Sequence, residues 1–172
     1  MENQTLDNRT ILNRLENRND ADRNVVVDEQ RIRKYLVFNV GERPYALEAE
    51  AVREISSNNE FYYVPFVPPY VRGYANRHGQ PYTIFDLQML FENVVLDSKT
   101  LLILSMENDQ AALLISDVLE ILKVAESEVH RLTSEDDSSR YFANSLNLKG
   151  KEVFVLNVHT LLERLERDLE RS

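Results

Sequence analysis

A mostly β chain closed by one terminal helix is what this sequence predicts. Short apolar runs rich in β-branched and aromatic residues recur at close spacing, turn-forming residues separate them, and helical periodicity is sustained only near the C-terminus. Strands do not alternate with long helices, which excludes a doubly wound α/β fold and favours small antiparallel barrels.

The first strand is read in Tyr35-Leu36-Val37-Phe38-Asn39-Val40, and a turn at Gly41-Glu42 returns the chain through Tyr45-Ala46-Leu47. Between Glu48 and Ile55, Ala51, Val52 and Ile55 share one helical face, which predicts a short helix ended by Ser56-Ser57-Asn58-Asn59. Phe61-Tyr62-Tyr63-Val64 reads as another strand, and Pro65, Pro68 and Pro69 force an extended or turning path into Tyr70-Val71-Arg72. Pro81 to Phe85 follows as a strand, while Asp86 to Phe91 is ambiguous and admits a single helical turn.

Leu101 to Met106 and Ala111 to Ile115 form an apolar hairpin across Glu107-Asn108-Asp109-Gln110. Val118 to Val124 is a further β candidate, and Thr133 to Ser139 is a solvated loop. The last hairpin runs through Leu146-Asn147-Leu148, turns at Lys149-Gly150 and returns through Val153-Phe154-Val155-Leu156. Val158, Leu161, Leu162, Leu165 and Leu169 then line one face of a helix. Thr160 and Glu163 are spaced as a capping box, and Glu163 with Arg167 and Arg164 with Asp168 are favourable four-apart pairs. This stripe is expected to pack on the barrels; the alternative is a partner-binding face. No internal repeat stands out.

A length of 172 residues with 43% hydrophobic content suits one compact domain, or two small subdomains sharing an interface. Residues 1 to 34 are polar apart from isolated positions such as Ile11, Leu12 and Leu15, so they are expected to form a mobile extension, with a docking arm as the alternative; 35 to 172 form the domain. A net charge of −9 without a compensating basic stripe argues against nucleic acid and against an anionic membrane surface. Cysteine is absent, which fits a reducing cytoplasm and removes thiol chemistry. No apolar stretch approaches the roughly 20 residues of a membrane span, and the start Met1-Glu2-Asn3-Gln4 lacks the plan of a secretory signal.

His78, His130 and His159 are far apart in sequence, and none pairs with another at metal-ligand spacing. There is no Gly-rich phosphate loop or nucleophile elbow, and acidic pairs such as Asp136-Asp137 sit among similar residues, as on a solvated surface. No catalytic residue, metal or cofactor is expected.

The order of motifs resembles the CheW-like adaptors of bacterial chemosensory signalling. Tyr35 to Gly41 and Tyr45-Ala46-Leu47 are similar to the family's first hairpin, and Val52-Arg53-Glu54-Ile55 looks like its V-x-E-I turn. Pro68 through Gly79 and then Ile84-Phe85-Asp86-Leu87 match the family's spacing of Pro, a basic-Gly pair, Asn-Leu-Arg-Gly and an apolar run ending in Asp-Leu. Leu113 to Val118, Leu148 to Val153 and Leu156 to Leu162 resemble the second half, so the likeness covers about residues 35 to 165. His78 stands where the family has Arg, Arg77 where it has Leu, and Thr83 where it has Pro.

The resemblance implies two packed SH3-like five-stranded antiparallel barrels with short helices and a C-terminal helix. It also implies a non-catalytic, cytoplasmic adaptor coupling the cytoplasmic tip of a chemoreceptor to the regulatory domain of a CheA-type histidine kinase, with membrane recruitment only through partners. The alternatives are a CheW-like module serving a kinase of a motility or pilus pathway and, from another class, an enzyme. Partner-contact candidates carried over are Val52, Glu54, Ile55, Gly73, Asn76, His78 and Gly79. Each has a plainer reading: core for Val52 and Ile55, a solvated helix position for Glu54, a turn former for Asn76, and backbone conformation for the two glycines. Imidazole cannot reproduce the bidentate fork of an arginine. Alternation along an extended strand would aim Arg77 away from the family's contact surface unless a tight bulged turn breaks it, so either Arg77 or His78 is left to take the place of the family's arginine.

Overall fold

The computed structural model describes residues 31–106, 110–133 and 141–171. Two sheets and two helices account for most of them. One sheet contains β3 (Val52–Ser56), β4 (Val71–Arg77), β5 (Gln80–Asp86), β6 (Thr100–Leu104) and β7 (Ala111–Ile115) in the order β3-β6-β7-β5-β4. The other contains β1 (Ile32–Val40), β2 (Arg43–Glu48), β8 (Asp117–Ala125), β9 (His130–Arg131), β10 (Phe142–Leu148) and β11 (Lys151–Leu156) in the order β8-β1-β2-β11-β10-β9. Helix α1 (Leu87–Glu92) follows β5 and α2 (Val158–Glu170) follows β11.

The expected pair of five-stranded antiparallel barrels is therefore corrected to two mixed sheets of five and six strands. β5 pairs with β7 in parallel, as β11 does with β2. A hairpin forces its strands antiparallel, but these partners are remote in the chain and meet through long crossovers, which permit parallel pairing.

The two sheets repeat one design. Without β9, the order β8-β1-β2-β11-β10 matches β3-β6-β7-β5-β4 place for place, including the senses antiparallel, antiparallel, parallel, antiparallel. Local sequence repeats with it. Val52-x-Glu54-Ile55 begins β3 and Val118-x-Glu120-Ile121 lies in β8, and both carry a register shift across the Val and Glu. Asn76-x-x-Gly79 closes the β4–β5 hairpin and Asn147-x-x-Gly150 the β10–β11 hairpin, with the Asn Oδ1 accepting from the Gly N–H at 3.0 and 2.8 Å. The helix caps, Asp86 and Asn157, each stand ten residues after that Asn. So few positions recur that the repeat does not stand out in the sequence.

The helix expected over Glu48 to Ile55 is a 3-10 turn at Ala49–Ala51 running into strand β3. Eight residues are too few to hold a helix alone, and β6 supplies an antiparallel ladder that places Ile55 opposite Leu102. The strand expected at Phe61 to Val64 is reduced to a single bridge, Tyr62 opposite Tyr74. Asn157, not Thr160, caps α2, its Oδ1 accepting from the Thr160 N–H at 3.2 Å. Strand β1 begins at Ile32, upstream of the expected Tyr35, and Arg33 bonds Glu48 and Glu126 at 3.0 Å each. The rest of the expected extension, the β6–β7 loop at 107–109 and the loop at 134–140 lie outside the described residues.

The larger core cluster joins the sheets: Leu36, Phe38 and Leu47 meet Ile84, Leu101 and Leu113, and the stripe Val158, Leu161, Leu162 and Leu165 of α2 belongs to it. The other face of β1 turns Tyr35 and Val37 into a smaller cluster with Ala46, Leu146, Val153 and Val155. β1 is thus buried on both faces, and its apolar run lacks polar alternation for that reason.

Candidate functional site

β3 and β4 stand at opposite ends of the five-stranded order, yet their side chains meet. Glu54 of β3 forms a hydrogen-bonded ion pair through Oε1 with Nη2 of Arg77, and its Oε2 lies 3.5 Å from Nε2 of His78. Arg53 of β3 also reaches across the sheet, donating to the hydroxyl of Tyr82 on β5, the strand beside β4, at 2.8 Å. The sheet therefore curls until its two edge strands touch through polar side chains.

Of the two expectations for Arg77, the tight turn prevails over simple strand alternation. Strand alternation ends at Arg77, because His78 (φ +53°) and Gly79 (φ +79°) form a two-residue turn in which both residues have positive φ, as a type I′ hairpin turn requires. Cation and imidazole converge on one carboxylate. Arg77 is only 28% exposed and its Nε is buried without a hydrogen-bond partner among the described residues, whereas His78 is 80% exposed.

The other candidates divide. Val52 is half-buried and packs on the core, while Ile55 is 46% exposed. Glu54 sits on a strand rather than a helix and is ion-paired rather than solvated. Asn76 closes the turn through its Oδ1. Gly73 (φ +115°) is required by its surroundings, since a Cβ there would lie 2.1 Å from the Tyr62 carbonyl oxygen. That close approach lets Tyr62 and Tyr74 exchange backbone hydrogen bonds of 2.8 and 2.9 Å, with their rings stacked 5.1 Å apart.

At the other end of the β4–β5 hairpin lies a polar group that the sequence offered only as part of an Asp-Leu motif. Asp86 is fully buried; Oδ1 accepts from the Met89 N–H at 3.0 Å, and Oδ2 accepts from the Leu96 N–H and from Arg72 Nη1, each at 2.9 Å. One carboxylate thereby caps α1, pins the following loop and neutralises the arginine before Gly73. Among the described residues no three His, Asp or Glu side chains gather as metal ligands.

These features define a mostly β, two-sheet domain with an ion-paired strand edge at one end of the β4–β5 hairpin and a buried structural carboxylate at the other. The chain belongs to the CheW-like domain family, whose profile matches residues 34–166. Among solved structures it is similar to the scaffolding protein TtCheW from Thermoanaerobacter tengcongensis, with 21% identity and a TM-score of 0.70 over 76% of this chain and 92% of that one. Among curated proteins no relative matches the chain.

Proposed function

We propose that this chain is a non-catalytic chemotaxis adaptor that couples the cytoplasmic tip of a chemoreceptor to the regulatory domain of a CheA-type histidine kinase. Membership of the CheW-like family supports this, as does likeness to a protein described as a scaffold. The observation that carries it to a place on the molecule is the Glu54 edge: a carboxylate fixed by Arg77 and His78, beside exposed Ile55.

A fixed charge next to an apolar side chain selects a partner by electrostatic complementarity and rewards contact by burial. The work is then geometric. An adaptor that holds both partners at once makes a shift in one change the other through a coupling free energy, without any chemistry of its own. No helix among the described residues is long and apolar enough to cross a membrane; the reading places the chain in the cytoplasm, at receptor arrays through its partners.

The test is binding of the full chain to a CheA-type regulatory domain, with and without a receptor tip. Ile55→Ser removes an exposed side chain and Glu54→Gln keeps shape while removing charge. At least one should weaken one partner by about tenfold, or about 1.4 kcal/mol, with an unchanged thermal unfolding midpoint. Wild-type affinity in both variants, or no binding of either partner by the wild type, would defeat the assignment.

A further inference from the structure

The outer end of the six-stranded sheet carries a face that the Glu54 edge does not use. In the β1–β8 ladder Ile32 stands opposite Ala125, Lys34 opposite Lys123, and Leu36 opposite Ile121. Alternate residues of a strand share a face, so these side chains lie on the side from which Leu36 enters the core. Leu36 is covered, but Ile32 is 65% and Ile121 61% exposed, and both lysines are exposed.

Like charges directly opposite in an antiparallel ladder destabilise it. Among the described residues no carboxylate lies within salt-bridge distance of Lys34 or Lys123; Glu48 and Glu126 are engaged by Arg33 and Glu120 by Lys149, while Glu50 borders the same hollow as Lys34 without pairing with it. An open hollow lined by Ile32, Arg33, Lys34, Glu48, Ala49 and Glu50 adjoins the face. In a chain of net charge −9, two facing lysines are thus left unneutralised between uncovered isoleucines among the described residues.

We propose that this face docks a protein partner through a segment that sets acidic side chains on Lys34 and Lys123 and apolar ones on Ile32 and Ile121. Charge complementarity selects the acids, and the repulsion within the ladder is relieved only in the complex. The face belongs to the other sheet and shares no residue with the Glu54 edge, so the two readings stand or fall separately.

The experiment is fluorescence anisotropy of the full chain with a labelled synthetic peptide carrying Glu and Leu at helical spacing. Two controls replace Glu by Lys or Leu by Ser. The first peptide should bind and the controls should not. Combining Lys34→Glu with Lys123→Glu should weaken it at least about tenfold and create binding of the Lys peptide, and Ile121→Ser should weaken it roughly threefold or more. The single change Lys34→Glu should also weaken the peptide, and because it gains an opposite charge across the ladder its unfolding midpoint should equal or exceed wild type, which shows that its lost binding is not lost folding. Unchanged affinity in the double variant, or equal binding of the Ser control, would overturn the proposal. So would lysine-dependent sedimentation with phosphatidylglycerol vesicles in place of peptide binding, which would make the face a membrane contact.

Discussion

Two sheets of one design differ most at the corner where an edge strand meets a hairpin. In the six-stranded sheet the residue before the turn is Leu148, which packs on the smaller core, and Lys149 on the turn stands 3.7 Å from Glu120 of the V-x-E-I stretch. In the five-stranded sheet the corresponding places hold Arg77 and His78, both directed at Glu54. A guanidinium whose buried Nε has no partner among the described residues replaces an apolar anchor. An ion pair in such a place contributes little stability beyond what a well-packed leucine gives, and can contribute less. The difference teaches that the corner of the six-stranded sheet is built for packing, while that of the five-stranded sheet gives up apolar packing for an ion-paired carboxylate, the feature on which the proposed recognition rests.

The caps after the hairpins differ in the same direction. Asn157 satisfies the Thr160 N–H with its side chain, while Asp86 is fully buried and engages Met89, Leu96 and Arg72. Removing one partner from a buried charge pair costs several kcal/mol, since the other is left uncompensated; removing a lone cap costs less. Asp86→Ala is therefore expected to lose about 3 to 5 kcal/mol, and Asn157→Ala about 1 kcal/mol, in urea denaturation. Equal losses would mean that the two caps do the same work and that the comparison fails.

Leu162→Ala comes next, at roughly 2 to 4 kcal/mol, because this buried residue would leave a cavity in the core that joins the sheets. Wild-type stability in that variant would make the α2 stripe a docking face.

The α2 stripe was legible from sequence because five apolar positions over three turns fit only one period. β3 was not. Ala51, Val52 and Ile55 satisfy helical spacing as well as they suit a strand, and only the ladder with β6 decides between them. The parallel pairs were equally hidden, since Phe154 opposite Tyr45 and Phe85 opposite Leu113 are contacts that no local pattern announces. At the site, Glu54, Ile55, Asn76, His78 and Gly79 were picked out by motif, but the convergence of Arg77 on Glu54 depends on the curl of the sheet, which a strand read by itself does not contain.

Helix α2 is tethered to both halves. The Tyr70 hydroxyl, just before β4, donates to Asp168 at 2.9 Å, and Arg164 lies over the Tyr141 ring, just before β10, at 5.4 Å. Burial first, then the hydrogen bond to Asp168, raises the Tyr70 pKa above its ordinary 10.0; burial also raises Tyr35 and Tyr45. A raised folded pKa means that the native state keeps its proton where the unfolded chain releases it. The stabilisation is complete below pH 10 and is lost as pH rises further. Tyr70→Phe should cost about 1 kcal/mol at neutral pH and flatten the loss of stability above pH 10. An unchanged alkaline slope would assign that loss to Tyr35 and Tyr45.

The smallest expected effect bears most directly on the two corners. Arg77→Leu installs in the five-stranded sheet the residue type that the six-stranded sheet carries as Leu148. The change removes a buried Nε that has no partner, and it leaves Glu54 with His78 at 3.5 Å and with solvent, since Glu54 is 30% exposed. Loss of the pair and gain of apolar packing then nearly cancel, so stability should stay within about 1 kcal/mol of wild type, in either direction. Binding should not be spared in the same way, because Glu54 would no longer be held in one orientation and a fixed charge discriminates better than a mobile one. The measurement is denaturation and partner affinity on the same preparation. A loss of more than about 2 kcal/mol would show that the ion pair itself holds the curled edges of the sheet together, a structural task that Glu120 and Lys149, both more exposed, do not share. Unchanged stability with unchanged affinity would reduce Arg77 to a tolerated substitution and leave Ile55 as the residue on which the proposed recognition rests.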